Sequence, residues 1–317
     1  MNTWTARTVT AATASAAALA LAGCGGADAT AGSTGGDGLT VVAGFYPLEW
    51  AAQRVGGDRV AVSSLTPQGA EAHDLELAPQ DVAAVADADL LVYLDGFQPA
   101  LDEAVQNEAA DTAWDAGQAA DLVPTAEEDA HEGETAEEHA HEDGAVDPHF
   151  WLDPVRLASV GDALADRLTE ADPDGAATYE QNAAALRTDL EALDAEMRAG
   201  LADCAVDTLV TGHDAFGYLG DRYGLEVVGI SGLSPSAEPS PATQARIAEL
   251  VRERGVTTVY TETLVDPAVA ETVASEAGAR TAVLDPIEGL TDESAGSDYL
   301  EVMRADLATL QEGQSCS

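Results

Sequence analysis

Residues 207–230 read DTLVTGHDAFGYLGDRYGLEVVGI. DTLVTG and LEVVGI are short apolar runs with the character of strands. AFGYLGDRYG between them reads as a short helix stopped by a glycine. Near-continuous apolar strands joined by helices are the pattern of a parallel sheet covered on both faces. The first strand also runs directly into His213.

The same alternation extends in both directions. Downstream, VTTVYTE and RTAVLD read as strands, and PATQARIAELVRERG, DPAVAETVASEAG and SDYLEVMRADLATLQEG as helices. From residue 39, LTVVAGFY, RVAVSSL and DLLVYLD are strands. The helices of that half are PLEWAAQRVGG, stopped at Gly56-Gly57, then PQDVAAVADA and PALDEAVQNEAA. Two helical segments separate the halves. The second, DPDGAATYEQNAAALRTDLEALDAEMRAGLAD, places Leu186, Leu190, Leu193, Met197 and Leu201 at three- and four-residue spacing, one apolar stripe. Asp172 and Pro173 suit its cap and first turn. The expected fold is α/β: two lobes, each a mainly parallel sheet flanked by helices, joined by one long helix. The boundaries are an N-terminal lobe over 39–171, the connecting helix over 172–203 and a C-terminal lobe over 204–317.

The chain has 317 residues, 58 acids and 13 bases, a formal net charge of −45. Such a chain repels phosphate backbones and anionic headgroups, which excludes nucleic acid as a partner. Most of the acids are read as a solvated surface. The opening MNTWTARTVTAATASAAALALAGCGG has one Arg before a modest apolar run shorter than the ~20 residues of a spanning helix. Residues 1–23 therefore read as a signal peptide. LAGC resembles a bacterial lipobox, which implies Cys24 as a lipidated anchor, followed by a flexible tether over 24–38. Cys204 and Cys316 form an even pair that invites a disulfide in a secreted protein, against the alternative of two free thiols.

Histidine is scarce, and its placement is uneven. Four of the six histidines fall in AHEGETAEEHAHEDGAVDPHFWLDP, residues 130–154. Residues 124–146 are acidic and poor in large apolar side chains, so they read as a disordered loop carrying His131, His139 and His141. Order resumes at DPHFWLDP, where Phe150 and Trp151 would hold His149 by packing. In open α/β sheets ligands bind at the carboxyl ends of the strands. His73 follows strand RVAVSSL, His213 follows DTLVTG, and Asp285 ends RTAVLD. Three imidazoles and one carboxylate are thus aimed at one crevice. His₃Asp suits Zn²⁺, and a shell without an open position favours holding over catalysis.

GAEAHDLELAPQD, DPHFWLDP, TGHDAFGYLGDRYGLEVVGISGLSPSAEPSP and TAVLDPIEGL together resemble the metal-binding lipoproteins of bacterial zinc/manganese ABC importers. The resemblance runs in order from about residue 39 to the C-terminus. It implies the solute-binding fold of that family (cluster A-I), with a rigid connecting helix and the metal between the lobes. Carried over residue by residue, the ligands fall on His73, His149, His213 and Asp285. Glu71 or water competes for the fourth position. The manganese branch typically has Glu where this chain has His213, which points to zinc, with Mn²⁺ as the alternative. Ala72 stands where the family usually has Pro before the histidine. Glu262, after VTTVYTE, is a candidate partner that fixes a histidine tautomer, or else an exposed strand-end acid. The acidic insert is typical of the zinc branch, so His131, His139 and His141 read as auxiliary metal ligands or as a metal-indifferent spacer. The implied function is an extracytoplasmic, lipid-anchored, monomeric zinc-binding protein, not an enzyme, that delivers Zn²⁺ to the membrane permease of an ABC importer and is linked through that permease to its ATPase. A secreted zinc hydrolase would need an open coordination site beside a general base such as Glu71 or Glu262. No nucleophile elbow or zincin helix supports it. A purely adhesive role is demanded by no residue.

Overall fold

The structure is a computed structural model describing residues 38–123 and 146–317. The expected leader, Cys24 and its tether to residue 37, and the insert histidines His131, His139 and His141 lie outside the described residues.

Each half holds a four-stranded parallel sheet. The first contains β1 (Leu39–Ala43), β2 (Val60–Ser64), β3 (Leu90–Tyr93) and β4 (Ala113–Asp115), in the order β2-β1-β3-β4. The second contains β5 (Thr208–Thr211), β6 (Glu226–Gly229), β7 (Thr258–Thr261) and β8 (Arg280–Val283), in the order β6-β5-β7-β8. The two orders are the same, so each sheet has a switch point between its first and third strands, where a crevice opens at the carboxyl edge. β4 and the one-turn helix α4 (Gly117–Ala120) carry too few residues for a readable period.

Helices α1 (Tyr46–Gly56), α2 (Pro79–Asp87), α3 (Pro99–Glu108), α5 (Pro154–Ala171) and α8 (Pro241–Glu253) each carry Pro in the first two positions. There its missing N–H costs nothing and its fixed φ suits the first turn. α1 stops where Gly57 takes φ +55°, a value that favours glycine. The remaining helices are α6 (Ala176–Gly200), α7 (Gly217–Tyr223), α9 (Ala268–Ala277) and α10 (Tyr299–Gly313).

The long helix α6 has 25 residues, roughly 38 Å at 1.5 Å per residue. Its stripe Leu186, Leu190, Leu193, Met197 and Leu201 is buried throughout, against α5, α1 and α10. Asp172 does not cap it. A 3₁₀ turn over Pro173–Gly175 intervenes, and the Asp172 carboxylate accepts from Arg59 Nε at 2.9 Å and Tyr179 Oη at 2.8 Å. These bonds tie the start of α6 to the turn after α1.

Alternate strand residues divide between layers, as the pleat requires. Val41, Ala43, Leu90, Val92, Leu209 and Tyr260 join one apolar cluster that runs through both halves. Val42 and Leu91 face α2 and α3, and Val210 and Val259 face α8 and α9, in two satellite clusters. The described residues accordingly form one compact unit. Cys204 and Cys316 are bridged, 112 residues apart, beside a backbone pairing of the same two residues.

Closing so long a loop restricts the unfolded chain. Replacing both cysteines with serine is expected to lower unfolding free energy by about 4–5 kcal/mol in denaturant titrations. A change below about 1 kcal/mol would mean the bridge constrains little.

Candidate metal centre

Three imidazole nitrogens and one carboxylate oxygen converge in the crevice between the sheets. They belong to His73, His149, His213 and Glu288, and all lie within 4.8 Å of one another. His149 Nε2 is 3.3 Å from His73 Nε2 and 3.4 Å from His213 Nε2. Glu288 Oε1 is 3.6 Å from His73, 3.5 Å from His149 and 3.2 Å from His213, each at Nε2. A tetrahedral zinc shell with bonds of 2.0–2.1 Å has edges of about 3.3 Å. Five of the six separations are of that length, all six lie within 4.8 Å, and Glu288 Oε1 is buried among the three rings.

Each donor is aimed by its own local structure. His213 leaves β5 at the switch point and Glu262 leaves the neighbouring β7. Glu262 accepts from the His213 backbone N–H at 2.8 Å and meets Nδ1 at 2.6 Å. A proton on Nδ1 leaves Nε2 as the free lone pair. Gly212 is required there, since a Cβ would sit 2.6 Å from Glu262 Oε1. His149 repeats the device: Asp147 Oδ1 accepts its N–H at 2.9 Å and meets Nδ1 at 2.8 Å. The turn after it is held by Trp151, whose Nε1 donates to Pro286 O at 2.7 Å, and by Tyr299 Oη, which donates to Trp151 O at 2.5 Å. Asp153 then caps α5, accepting from Val155 N at 2.8 Å. His73 stands on the loop after β2. Glu71 takes its backbone N–H at 3.0 Å, Gln98 bonds Ala72 O at 2.9 Å, and Phe97 lies edge-on 4.5 Å away.

The fourth donor corrects the sequence reading. Asp285 is buried but turned away: it accepts from Ile287 N at 2.8 Å and from Ser294 Oγ at 3.0 Å. Its own N–H donates to Asp306 Oδ1 at 3.1 Å. The chain passes Ile287 at φ +58°, a strained value for a β-branched residue, and this turn delivers Glu288 to the histidines. Asp285 thus holds the turn, and Glu288 faces the cluster. Choosing the acid that ends the strand overlooked the second acid of DPIEG, three residues on. Asp147, two residues before His149, was also missed. Glu262 is buried against His213, at its backbone N–H and Nδ1. Glu71 is not among the four but braces His73.

The charges are mutually supporting. Burial opposes a proton on His213, but Glu262 and Glu288 overcome it and raise its pKa to about 10. Burial likewise opposes charge on His149, and the hydrogen bonds of Asp147 and Glu288 raise it regardless. His73 is lowered, chiefly by burial. Burial would raise Glu288, yet its bonds to the three histidines hold it well below the usual carboxylate range. Burial, then the hydrogen bond and charge of Glu288, push Glu71 up to about 8. His149, His213 and Glu288 are sealed, whereas the His73 side chain keeps 9% exposure. His73 lines an open cavity of about 580 Å³ shared with Asp74, Asp95, Phe97, Val146 and Leu233. Access to the cluster therefore passes His73.

The family described as zinc-uptake complex component A, periplasmic (ZnuA), matches residues 41–313. The chain belongs to the ZnuA family. It is 37% identical over 283 residues to the high-affinity zinc uptake system protein ZnuA of Bacillus subtilis, covering 87% of this chain and 88% of that protein. It is 36% identical over 280 residues to the zinc-binding lipoprotein AdcA of Streptococcus pneumoniae, covering 86% of this chain and 55% of the relative. The chain thus spans about half the length of the streptococcal relatives it matches. The Zn(II)-bound ZnuA-like domain of pneumococcal AdcA has the same fold, with a TM-score of 0.71 at 34% identity over 87% of this chain and 99% of the domain. The ZnuA family is described as a component of a zinc-uptake complex.

Glu288→Gln is expected to weaken zinc binding by on the order of 100-fold, and Asp285→Asn, whose carboxylate bonds Ile287 and Ser294 and none of the histidines, by no more than about 10-fold. Calorimetric titration decides this, and the reverse order would return the ligand role to Asp285.

Proposed function

We propose that this chain captures Zn²⁺ outside the cytoplasm and releases it to the permease of an ABC importer, whose ATPase drives uptake. The convergence of three Nε2 atoms and the Glu288 carboxylate carries this reading. An imidazole-rich shell suits zinc, while manganese leans toward carboxylates and water. Four protein donors leave no open position for substrate chemistry, which argues for carriage. The lipid anchor on Cys24 and a monomeric state belong to the same proposal. Among the described residues no helix is long and apolar enough to cross a membrane. His131, His139 and His141 are assigned an auxiliary capture role outside the tight site.

Zinc binds only neutral imidazole, so protons on His149 and His213 compete with it. Both hold protons above the ordinary imidazole pKa of about 6.5. Affinity therefore rises with pH, and keeps rising beyond pH 7 towards the His213 value of about 10. At pH 8 zinc binding is expected to release on the order of one proton, read by calorimetry in buffers of different ionisation enthalpy. No release at pH 8 would contradict the charged cluster.

Competition between Zn²⁺ and Mn²⁺ for the metal-free protein is expected to favour zinc by at least about 100-fold, in line with the metal-affinity order. The preference should survive deletion of residues 125–145. A manganese preference would overturn the assignment, and loss of tight binding on the deletion would move the site into the insert.

A further inference from the structure

Asp147 orients His149, but its own position needs a cause. It stands two residues after the 124–145 segment, and its carboxylate spends one oxygen on the His149 backbone N–H and Nδ1. Its carbonyl is held from the other half of the molecule. Tyr218, on α7, donates its hydroxyl proton to Asp147 O at 2.9 Å. The same hydroxyl accepts from Val123 N at 3.1 Å. One phenol oxygen therefore binds both flanks of the insert, using its one donor and an acceptor lone pair.

The phenol is itself fixed. Tyr218 is buried, and the Arg156 guanidinium lies 4.6 Å from its ring centroid. That guanidinium also donates to Ala120 O at 2.8 Å and to Asp121 O, holding the first flank. Gly217 completes the fit: a Cβ there would come within 2.7 Å of Asp147 Oδ2. The missing side chain lets Asp147 lie against the start of α7.

We propose that Tyr218 is a positioning residue of the metal centre, clamping Val123 and Asp147 to the second half so that Asp147 keeps His149 aimed at the ion. This rests on the reading of His149 as a zinc ligand. The aim of His149 then depends on contact between the halves, because its support is anchored across the crevice. Parting the crevice at α7 would loosen His149 from behind while the ion is still held in front.

The test is zinc binding by Tyr218→Phe, Asp147→Asn and the double variant, with His149→Ala as control. Tyr218→Phe keeps the ring and its stacking on Arg156 and removes both hydrogen bonds. It is expected to weaken zinc binding by about 10-fold, within the 10–100-fold typical of groups that orient a ligand. Asp147→Asn should cost as much or more. Because Tyr218 acts through Asp147, the double variant should fall within about 3-fold of Asp147→Asn alone. In zinc-loaded protein, the His149 Nδ1–H signal in ¹H–¹⁵N spectra should shift in Tyr218→Phe, which a merely loosened interface would not produce. Gly217→Ala keeps the phenol and crowds Asp147, so it should weaken binding in the same direction if Tyr218→Phe fails to fold. Unchanged affinity in the folded variants, or losses that multiply in full, would overturn the proposal. Wild-type binding by His149→Ala would instead overturn the site reading itself.

Discussion

Four potential ligand atoms meet in a buried crevice, five of their six separations 3.2–3.6 Å and all within 4.8 Å, and the rest of the structure serves that convergence. Such a cluster is costly without compensation, because buried polar groups lose water and like charges repel. The compensation is an acid behind each of two histidines and one acid between all three. Glu262 and Asp147 face the back of the rings, and Glu288 faces the front. The same arrangement raises the proton affinity of His149 and His213. Protons and a divalent cation are thus alternatives for one negatively biased cage.

The scaffold makes the convergence possible by sharing its core. The main apolar cluster includes strand residues of both sheets and the buried stripe of α6. Trp151 joins two ligand-bearing turns directly, one before α5 and one after β8, through Pro286 O. A helix of 25 residues packed along one face resists bending more than a pair of extended linkers would. Of the four clustered side chains, His73 is the one that keeps exposure.

Much of this was legible in the sequence, for physical reasons. Strands buried on both faces give continuous apolar runs such as DTLVTG and DLLVYLD, and the α6 stripe repeats often enough to fix its period. His73 and His213 were placed by strand-end position, His149 by its apolar turn after the acidic segment, and all three by the resemblance. The fourth ligand was harder. Asp285 and Glu288 differ only in which way a turn points, and that depends on Ile287 at positive φ and on Asp306 beneath the strand end. Asp147 was hidden for a related reason: in the sequence it is one more acid at the end of an acidic segment. Its contacts, with the His149 ring and with a hydroxyl 71 residues away, appear only in the fold. β4, with three residues, has no period to read.

X-ray absorption at the zinc edge, on protein carrying one equivalent of Zn²⁺, tests the cage most directly. The account predicts about four nitrogen or oxygen neighbours at about 2.0–2.1 Å, with the outer-shell scattering of three imidazole rings and no sulfur. A six-coordinate oxygen-rich shell, or the signal of a single imidazole, would contradict it.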